Sequence, residues 1–354
     1  MRFSGYIIVF LLVLVSCNTD DGYVPLDAQN PELEFLIPDH FPDPTYDISL
    51  NPPTEKGFLL GKQLFYDGRL ASDGVVSCGF CHIQDFAFTH HTHIVSHGVD
   101  GALGTRNAQP LHNLAFMKDF TWDGAADHLD LQPIIPITNP VEMNNTFNGV
   151  IALLQEDEEY IRMFDEAFDN GEINTENILK ALSQFMLMMI SAESKYDRFL
   201  ANDGTTLTTD ETEGLALFNQ KCASCHMGAL FTDQSYRNNG LPVDPQYNDI
   251  GRERVTGMPT DRHKFRVPTL RNIEATFPYM HDGRLGTLED VLDFYESGMV
   301  DSPTLDDQFR QADGSIGISF EAGDKEKIIA FLKALTDNNF IFDERFSELC
   351  VGCF

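Results

Sequence analysis

Two short motifs hold the residue types that can attach and ligate a porphyrin. Each reads Cys-x-x-Cys-His, and the two copies comprise Cys78, Cys81 and His82, and Cys222, Cys225 and His226. In such a motif the thiols can bond to the vinyl groups of a haem, and the histidine can ligate the iron. One copy can arise by chance, but two copies, each preceded by a Leu-Phe helix end, are strong evidence. The sequence therefore predicts two covalently attached c-type haems and redox chemistry.

The residues before each motif repeat one helical pattern. Gly61 and Phe65 precede the first motif, and Gly214 and Phe218 precede the second, in stretches with apolar residues at helical spacing. This self-similarity indicates an internal repeat in which a helix leads to each motif.

Most of the remaining chain is also predicted to be helical, and few segments have the pattern of a strand. Capping boxes and apolar spacing predict helices from Thr208 to the second motif, from Thr287 through Tyr295, over 174–200 and over 324–335. The predicted fold class is mostly α.

Length and charge restrict the function classes. A chain of 354 residues predicts two domains. A formal net charge of −31 disfavours nucleic acid and anionic lipid headgroups as partners, and it would attract a basic redox protein. The same charge is also explained by solubility alone.

The first 17 residues predict a bacterial lipoprotein signal. An apolar run over 6–15 follows Met1 and Arg2, is too short for a secure membrane span, and leads to Cys17, which would carry the lipid. Residues 18–50 are rich in Asp, Pro and Asn and predict a flexible tether. We therefore expect an exported protein on the periplasmic side, lipid-anchored to a bacterial membrane.

Two further cysteines, Cys350 and Cys353, lie near the end of the chain without a following histidine. A disulfide in an oxidising compartment is the favoured interpretation. A metal or redox role stays open.

At this point the chain resembles the bacterial dihaem cytochrome c peroxidases and the related MauG-type enzymes. The resemblance extends over about residues 55–340, and its motifs lie at 60–67, 77–82, 104–108, 122–124, 140–143, 222–226, 267–272 and 278–283. It implies two cytochrome c-like domains, each with one haem and with the active site near their interface. We expect a peroxidatic haem domain over 51–203 and an electron-transfer haem domain over 204–354.

The resemblance assigns roles to three residues of the first half. Glu142 matches the family's catalytic carboxylate, which moves a proton between the peroxide oxygens. Gln132 matches the amide that helps to position peroxide. Trp122, the single tryptophan, matches a residue between the haems that helps electrons pass, and a core aromatic beside a cofactor would satisfy the same position.

A histidine-rich loop follows the first motif. In the peroxidases a loop histidine caps the N-terminal haem iron in the oxidised enzyme, and His97 matches it in part, whereas MauG-like sequences lack that ligand. The neighbouring His90, His91 and His93 are interpreted as solvated loop residues rather than a metal site.

The second haem departs from the usual peroxidase pattern. His82 and His226 are the proximal ligands, and on the distal side of the second haem the family peroxidases have a methionine where this chain has Tyr295. A phenolate stabilises ferric iron, whereas a thioether favours ferrous iron. Tyr295 is therefore the expected distal ligand of the second haem, and Met280 and Met299 are its rivals.

The resemblance also implies a calcium ion between the domains. Asn107, Thr276 and Pro278 match its ligand positions, and calcium accepts backbone and amide oxygens.

Three functions follow from these expectations. The first is reduction of hydrogen peroxide to water, with electrons from a small cytochrome c or cupredoxin. The second is a MauG-like reaction in which peroxide drives oxidation of Trp or Tyr residues in a partner protein, and Tyr295 favours it. The third is a non-enzymatic dihaem electron carrier. Membrane attachment would be through Cys17, a nucleic-acid partner is not expected, and a homodimer is left open.

Overall fold

The computed structural model describes residues 30–349, and the regular secondary structure of these residues is almost entirely helical. The predicted signal peptide, Cys17, Cys350 and Cys353 lie outside these residues. No helix within 30–349 has both the length and the apolar character needed to cross a membrane.

The described residues form short and medium helices joined by long loops. The α-helices are α1 Glu55–Tyr66, α2 Cys78–Cys81, α3 Ile134–Thr138, α4 Phe147–Gln155, α5 Glu158–Ala167, α6 Thr175–Leu187, α7 Lys195–Leu200, α8 Thr209–Lys221, α9 Glu253–Thr256, α10 Leu288–Asp293, α11 Asp324–Lys333 and α12 Asn338–Ile341. A π-helix spans Phe294–Gly298 directly after α10. Short 3₁₀-helices lie at Ile48–Leu50, Gly68–Leu70, Gln84–Phe86, Val99–Gly101, Leu114–Phe116, Leu129–Leu131, Pro259–Asp261, Asp307–Phe309 and Glu344–Phe346.

Two short strands pair in an antiparallel ladder. Strand β1 is Tyr236–Arg237 and strand β2 is Phe265–Arg266, with Tyr236 opposite Arg266 and Arg237 opposite Phe265.

The internal repeat is present as two helix pairs. Helix α1 packs on α6, and α8 packs on α11, each crossing at a glycine. A Cβ added to Gly61 would lie 1.9 Å from the carbonyl oxygen of Ala181, and one added to Gly214 would lie 1.9 Å from that of Lys327. Only glycine permits so close an approach of two backbones, so the repeated glycine sets the helix crossing in both halves.

Two hydrophobic cores surround these pairs. One includes Phe65 and Phe185 and the other includes Phe218 and Phe331. The last described residues do not stay with the second core, because Phe346 packs in the first one. The division of the chain at residues 203 and 204 remains a prediction.

Part of the predicted tether is folded. Phe41 and Tyr46 are buried, and the backbone N–H groups of Thr45 and Tyr46 donate to the carbonyl of Ala115 at 2.9 and 3.0 Å. The tether prediction is therefore wrong for residues 30–50, because its few apolar residues fit gaps in the core that composition did not reveal.

The single helix predicted over 174–200 is interrupted. Helix α6 ends at Leu187, and α7 begins after Ser194, whose side chain forms a capping box with Asp197. Between them the amide of Asn113 exchanges two hydrogen bonds of 2.9 Å with the backbone of Ser191. This distant side chain satisfies backbone groups that a continuous helix would have used.

Buried ion pairs join the two halves of the chain. Arg271 donates from two nitrogens to the two carboxylate oxygens of Asp197, both at 2.8 Å, and both side chains are buried. Arg106 pairs with Asp249 of the other half at 2.6 Å and with Asp123 of its own half at 2.7 Å. Their charge-assisted hydrogen bonds fix how the halves meet.

Candidate functional site

The first Cys-x-x-Cys-His motif is a single helical turn with an oriented histidine. Ser77 caps α2 by accepting from the N–H of Phe80, and His82 ends the turn. The Nδ1 atom of His82 lies 2.7 Å from the carbonyl oxygen of Phe88 and donates to it as a neutral imidazole. This bond fixes the ring and leaves Nε2 as the nitrogen that can ligate iron.

The second motif lies in a turn rather than a helix, but its histidine is oriented in the same way. Helix α8 ends one residue before Cys222, and the Nδ1 atom of His226 lies 3.1 Å from the carbonyl oxygen of Phe231. Burial lowers the pKa of His82 and of His226, which favours the neutral form that binds metals.

A largely apolar cavity, here called the C-terminal cavity, surrounds the second motif. Its lining includes the motif residues Cys222, Cys225 and His226, the predicted distal ligand Tyr295 and one of its two rivals, Met280. Met299 does not line it. Two thiols, an oriented imidazole and an apolar wall are the donor set of a c-type haem, so these residues fit that cofactor.

Asn239 contacts both Tyr295 and its rival ligand Met280. Its Nδ2 atom lies 3.5 Å from Sδ of Met280 and 3.3 Å from Oη of Tyr295. Burial raises the pKa of Tyr295 to about 12, whereas the hydrogen bond from Asn239 lowers it. The sequence does not mark Asn239 as a functional residue, since Asn238-Asn239-Gly240 indicates only a turn.

Trp122 lies in the wall between the two halves. It lines the C-terminal cavity, and its indole Nε1–H donates to the carbonyl of Asn107 at 2.9 Å. Its own carbonyl accepts from the backbone N–H of Arg266 at 2.8 Å. Hydrogen bonds to residues of both halves therefore hold Trp122 against this cavity.

Glu142 is held close to the first motif by the loop that carries His97. The N–H of Val99 donates to the carbonyl of Glu142 at 2.8 Å, and Sγ of Cys81 lies 3.4 Å from the carbonyl oxygen of His97. Burial and then the charge of Glu142 raise the pKa of Cys81 to about 12. Burial raises the pKa of Glu142 itself, while the Asn139 amide opposes that rise.

Gln132 precedes α3, the helix that leads to Glu142. The tight turn after α3 is pinned by the N–H of Met143, which donates to the carbonyl of Pro136 at 3.1 Å. The side chain of Gln132 makes no hydrogen bond to another residue within 30–349. The structure thus brings Glu142 to Cys81 and the His97 loop, but Gln132 and Glu142 share no hydrogen bond within residues 30–349.

Comparison with known proteins decides the family. A family profile described as di-haem cytochrome c peroxidase matches residues 55–205. The methylamine utilization protein MauG of Methylorubrum extorquens is 36% identical over 317 residues, which cover 85% of this chain and 83% of that protein. The cytochrome c551 peroxidase of Nitrosomonas europaea is 34% identical over 280 residues, covering 78% and 79%.

This chain belongs to the dihaem cytochrome c peroxidase and MauG family. A solved structure of a MauG-like protein associated with microbial copper homeostasis is 34% identical, with a TM-score of 0.79 over 90% of this chain and 99% of that one. The diheme peroxidase BthA of Burkholderia thailandensis shares the fold, with a TM-score of 0.71 at 23% identity over 87% and 90% of the two chains. The family predicted from the motifs is confirmed.

One histidine of the histidine-rich loop is buried, contrary to the prediction that it is solvated. His90 is only 2% exposed, so its interpretation as a solvated residue is wrong. Its ring centroid lies 4.2 Å from that of His93 and 5.5 Å from that of His97. Burial first, and then His93, lowers the pKa of His90 to about 4. Within 30–349 no group of three or more His, Cys, Asp or Glu side chains is arranged to hold a metal ion.

The three residues matched to the family's calcium site lie around one cavity. Asn107, Thr276 and Pro278 all line the C-terminal cavity. The Asn107 amide nitrogen donates to the carbonyls of His93 and Ile94 at 3.1 and 3.2 Å, which orients its oxygen away from them. Calcium binding by these residues stays a prediction.

Proposed function

We propose that this protein reduces hydrogen peroxide to water at its N-terminal haem site, with electrons that enter through its C-terminal haem site. The overall reaction consumes one peroxide, two electrons and two protons and yields two water molecules. The attached c-type haems supply the iron that accepts peroxide and the centre that receives electrons. A small cytochrome or cupredoxin is the proposed donor, in line with the peroxidase names of the relatives and the acidic surface.

The observation that carries this proposal is the position of Glu142. Its half-buried carboxyl group lies beside Cys81 and the His97 loop, and burial raises its pKa towards the range in which a group both accepts and donates protons near neutral pH. A pure electron carrier needs no such group. Glu142 therefore takes the proton from one peroxide oxygen and delivers it to the other, while Gln132 helps to orient the substrate.

We assign the two haem-bearing domains to residues 51–203 and 204–354, with Trp122 in the path between them. The hydrogen bonds of Trp122 to Asn107 and Arg266 support this path, because they fix the indole against the C-terminal cavity. His97 is the proposed gating ligand of the first iron, and Asn107, Thr276 and Pro278 are the proposed calcium ligands. Export with a lipid on Cys17 completes the proposal.

The test uses the full chain with both haems attached, as verified by its mass. Peroxide consumption is measured in the fully oxidised and half-reduced protein, with reduced cytochrome c as the donor. We expect turnover in the half-reduced protein, and the Glu142→Gln variant should lose about 10²–10⁴-fold of it. Glu158→Gln, an exposed acid on α5, is the matched control and should keep the full rate. A Glu142→Gln variant with unchanged kinetics would exclude this proton transfer.

A second candidate function is favoured by Tyr295. Tyr295 lines the C-terminal cavity together with His226, and a phenolate ligand there would stabilise the oxidised iron and make reductive priming harder. This supports a MauG-like reaction in which the oxidising equivalents of peroxide pass to Trp or Tyr residues of a partner protein. Rapid consumption of one equivalent of peroxide by the fully oxidised protein, without prior reduction, would favour this function over the peroxidase.

A further inference from the structure

The lining of the C-terminal cavity is positive, although the chain as a whole is strongly acidic. Three cationic residues, Lys221, Arg237 and Arg266, line it, and no Asp or Glu among residues 30–349 does. With a net charge of −31 on the whole chain, a wall free of carboxylates indicates that an anion is expected there.

Two of the three cations already have acidic partners. Arg237 pairs with Asp233 at 2.7 Å and with Asp306 at 2.8 Å. Lys221 lies 3.8 Å from a carboxylate oxygen of Asp324 and donates to the carbonyl of Ser319 at 2.7 Å.

Arg266 differs from both. It is 7% exposed, and within 30–349 its guanidinium makes one hydrogen bond, a long one of 3.5 Å from Nε to the carbonyl of Thr121, and no ion pair. Asp119, the carboxylate whose charge acts on it, is engaged by the hydroxyl group of Tyr236 at 2.8 Å. A buried cation without a counter-ion is costly, so this position requires a partner that the polypeptide does not supply.

Other buried arginines of this chain show the contrast. Arg271 and Arg106 each donate to a carboxylate through two nitrogens. The pKa of Arg106 is raised because Asp249 and Asp123 outweigh its burial, whereas burial lowers the pKa of Arg266. Only Arg266 among these three lacks an acid.

We propose that Arg266 binds a propionate carboxylate of the C-terminal haem. This inference rests on the proposed function to the extent that the cavity holds a c-type haem. A haem brings two carboxylates, and the planar guanidinium matches a carboxylate with two parallel hydrogen bonds. The missing counter-ion of Arg266 is thus part of the cofactor.

The same residue connects the cofactor to Trp122. The backbone N–H of Arg266 donates to the carbonyl of Trp122 at 2.8 Å, and its Nε contacts the preceding residue, Thr121. By holding a propionate, Arg266 acts as a positioning residue that sets the C-terminal haem against the segment carrying the indole.

The test compares Arg266→Gln and Arg266→Lys with Arg237→Gln in the full chain with two attached haems. Resonance Raman spectroscopy reports the propionate bending vibration, and spectroelectrochemistry reports the potential of each haem. We expect Arg266→Gln to shift that vibration and lower the potential of the C-terminal haem only, because a positive charge beside it is lost. Arg266→Lys should keep most of the potential but still shift the vibration, since an ammonium group cannot replace the planar fork.

The control separates a specific contact from general charge loss. Arg237→Gln removes a cation from the same wall, but one whose acids are already in the protein, so the propionate vibration should stay at its wild-type position. The proposal is overturned if Arg266→Gln, with both haems attached, leaves vibration and potential unchanged or changes them only as much as Arg237→Gln does. A wild-type protein with fewer than two haems would instead refute the proposed function.

Discussion

The two Cys-x-x-Cys-His sites of this protein share their local construction and differ in what faces them. In both, the histidine donates through Nδ1 to a carbonyl five or six residues later. Near the first motif lie a carboxyl group, Glu142, and a cluster of imidazoles. Around the second lie Met280, Tyr295 and unpaired positive charge. The two motifs thus place the same histidine anchor twice, and the surrounding loops give the sites different chemical groups, on which the proposed division into a proton-transferring and an electron-receiving site rests.

The largest expected effect concerns the contact that joins the halves. Arg271→Met leaves the carboxylate of Asp197 buried without its guanidinium, which should cost about 3–5 kcal/mol in the free energy of unfolding. Urea denaturation of the dihaem protein measures this cost. Arg162→Met, which breaks an exposed pair with Glu166, should leave the free energy of unfolding nearly unchanged, because water already screens that pair. An equal decrease in the free energy of unfolding for both variants would show that the buried Asp197–Arg271 pair stabilises the protein no more than an exposed pair does.

The repeated helix crossing predicts that the same substitution lowers the stability of each half by a similar amount. Gly61→Ala and Gly214→Ala each place a Cβ against a backbone carbonyl, so each should destabilise the protein by about 1–3 kcal/mol. Because the two crossings lie in separate cores, the losses should add in the double variant. Gly286→Ala is the control, since a Cβ there meets only Asp290 at 3.8 Å. An unchanged free energy of unfolding for either variant would show that the two helix crossings are not structurally equivalent.

A smaller effect should be confined to the second site. Asn239→Leu removes an amide that donates to Tyr295 and Met280, a loss worth about 0.5–1.5 kcal/mol per hydrogen bond. The pKa of Tyr295 should rise further, because the hydrogen bond from Asn239 lowers it. We expect electron paramagnetic resonance to show a changed signal for the C-terminal haem alone. A change at both haems would mean that the sites are not separable.

The smallest effect concerns the pH dependence of stability at the first site. Burial raises the folded-state pKa of Glu142, so its contribution to stability is most favourable below its ordinary pKa and is lost as pH rises through the raised value. The free energy of unfolding of Glu142→Gln should therefore increase relative to that of the wild type as the pH rises from about 4 to about 8. Thermal unfolding at the two pH values measures this difference. A gain at the acidic end instead would contradict the burial of this carboxyl group.

Much of this site could be predicted from the sequence because its chemistry is local. Haem attachment needs two thiols and a histidine at fixed spacing, so Cys78, Cys81 and His82 were identified without a fold. The capping boxes at Thr208 and Thr287 likewise depend on residues three positions apart, and both are present in the structure. The family could be predicted for the same reason, since several short motifs recur in order.

Other features depend on contacts between distant residues, and the sequence by itself could not decide them. Asn113 interrupts the helix predicted over 174–200 from 78 positions away in the chain, and the burial of His90 in the histidine-rich loop depends on packing rather than on its polar neighbours. Nor does any local pattern show that Arg266 lacks an acid while Arg271 and Arg106 have one. The sequence by itself determined which residues can hold iron, because that depends on short covalent spacing. Only the tertiary structure decided which charges meet, because a charge is paired or unpaired by its neighbours in space.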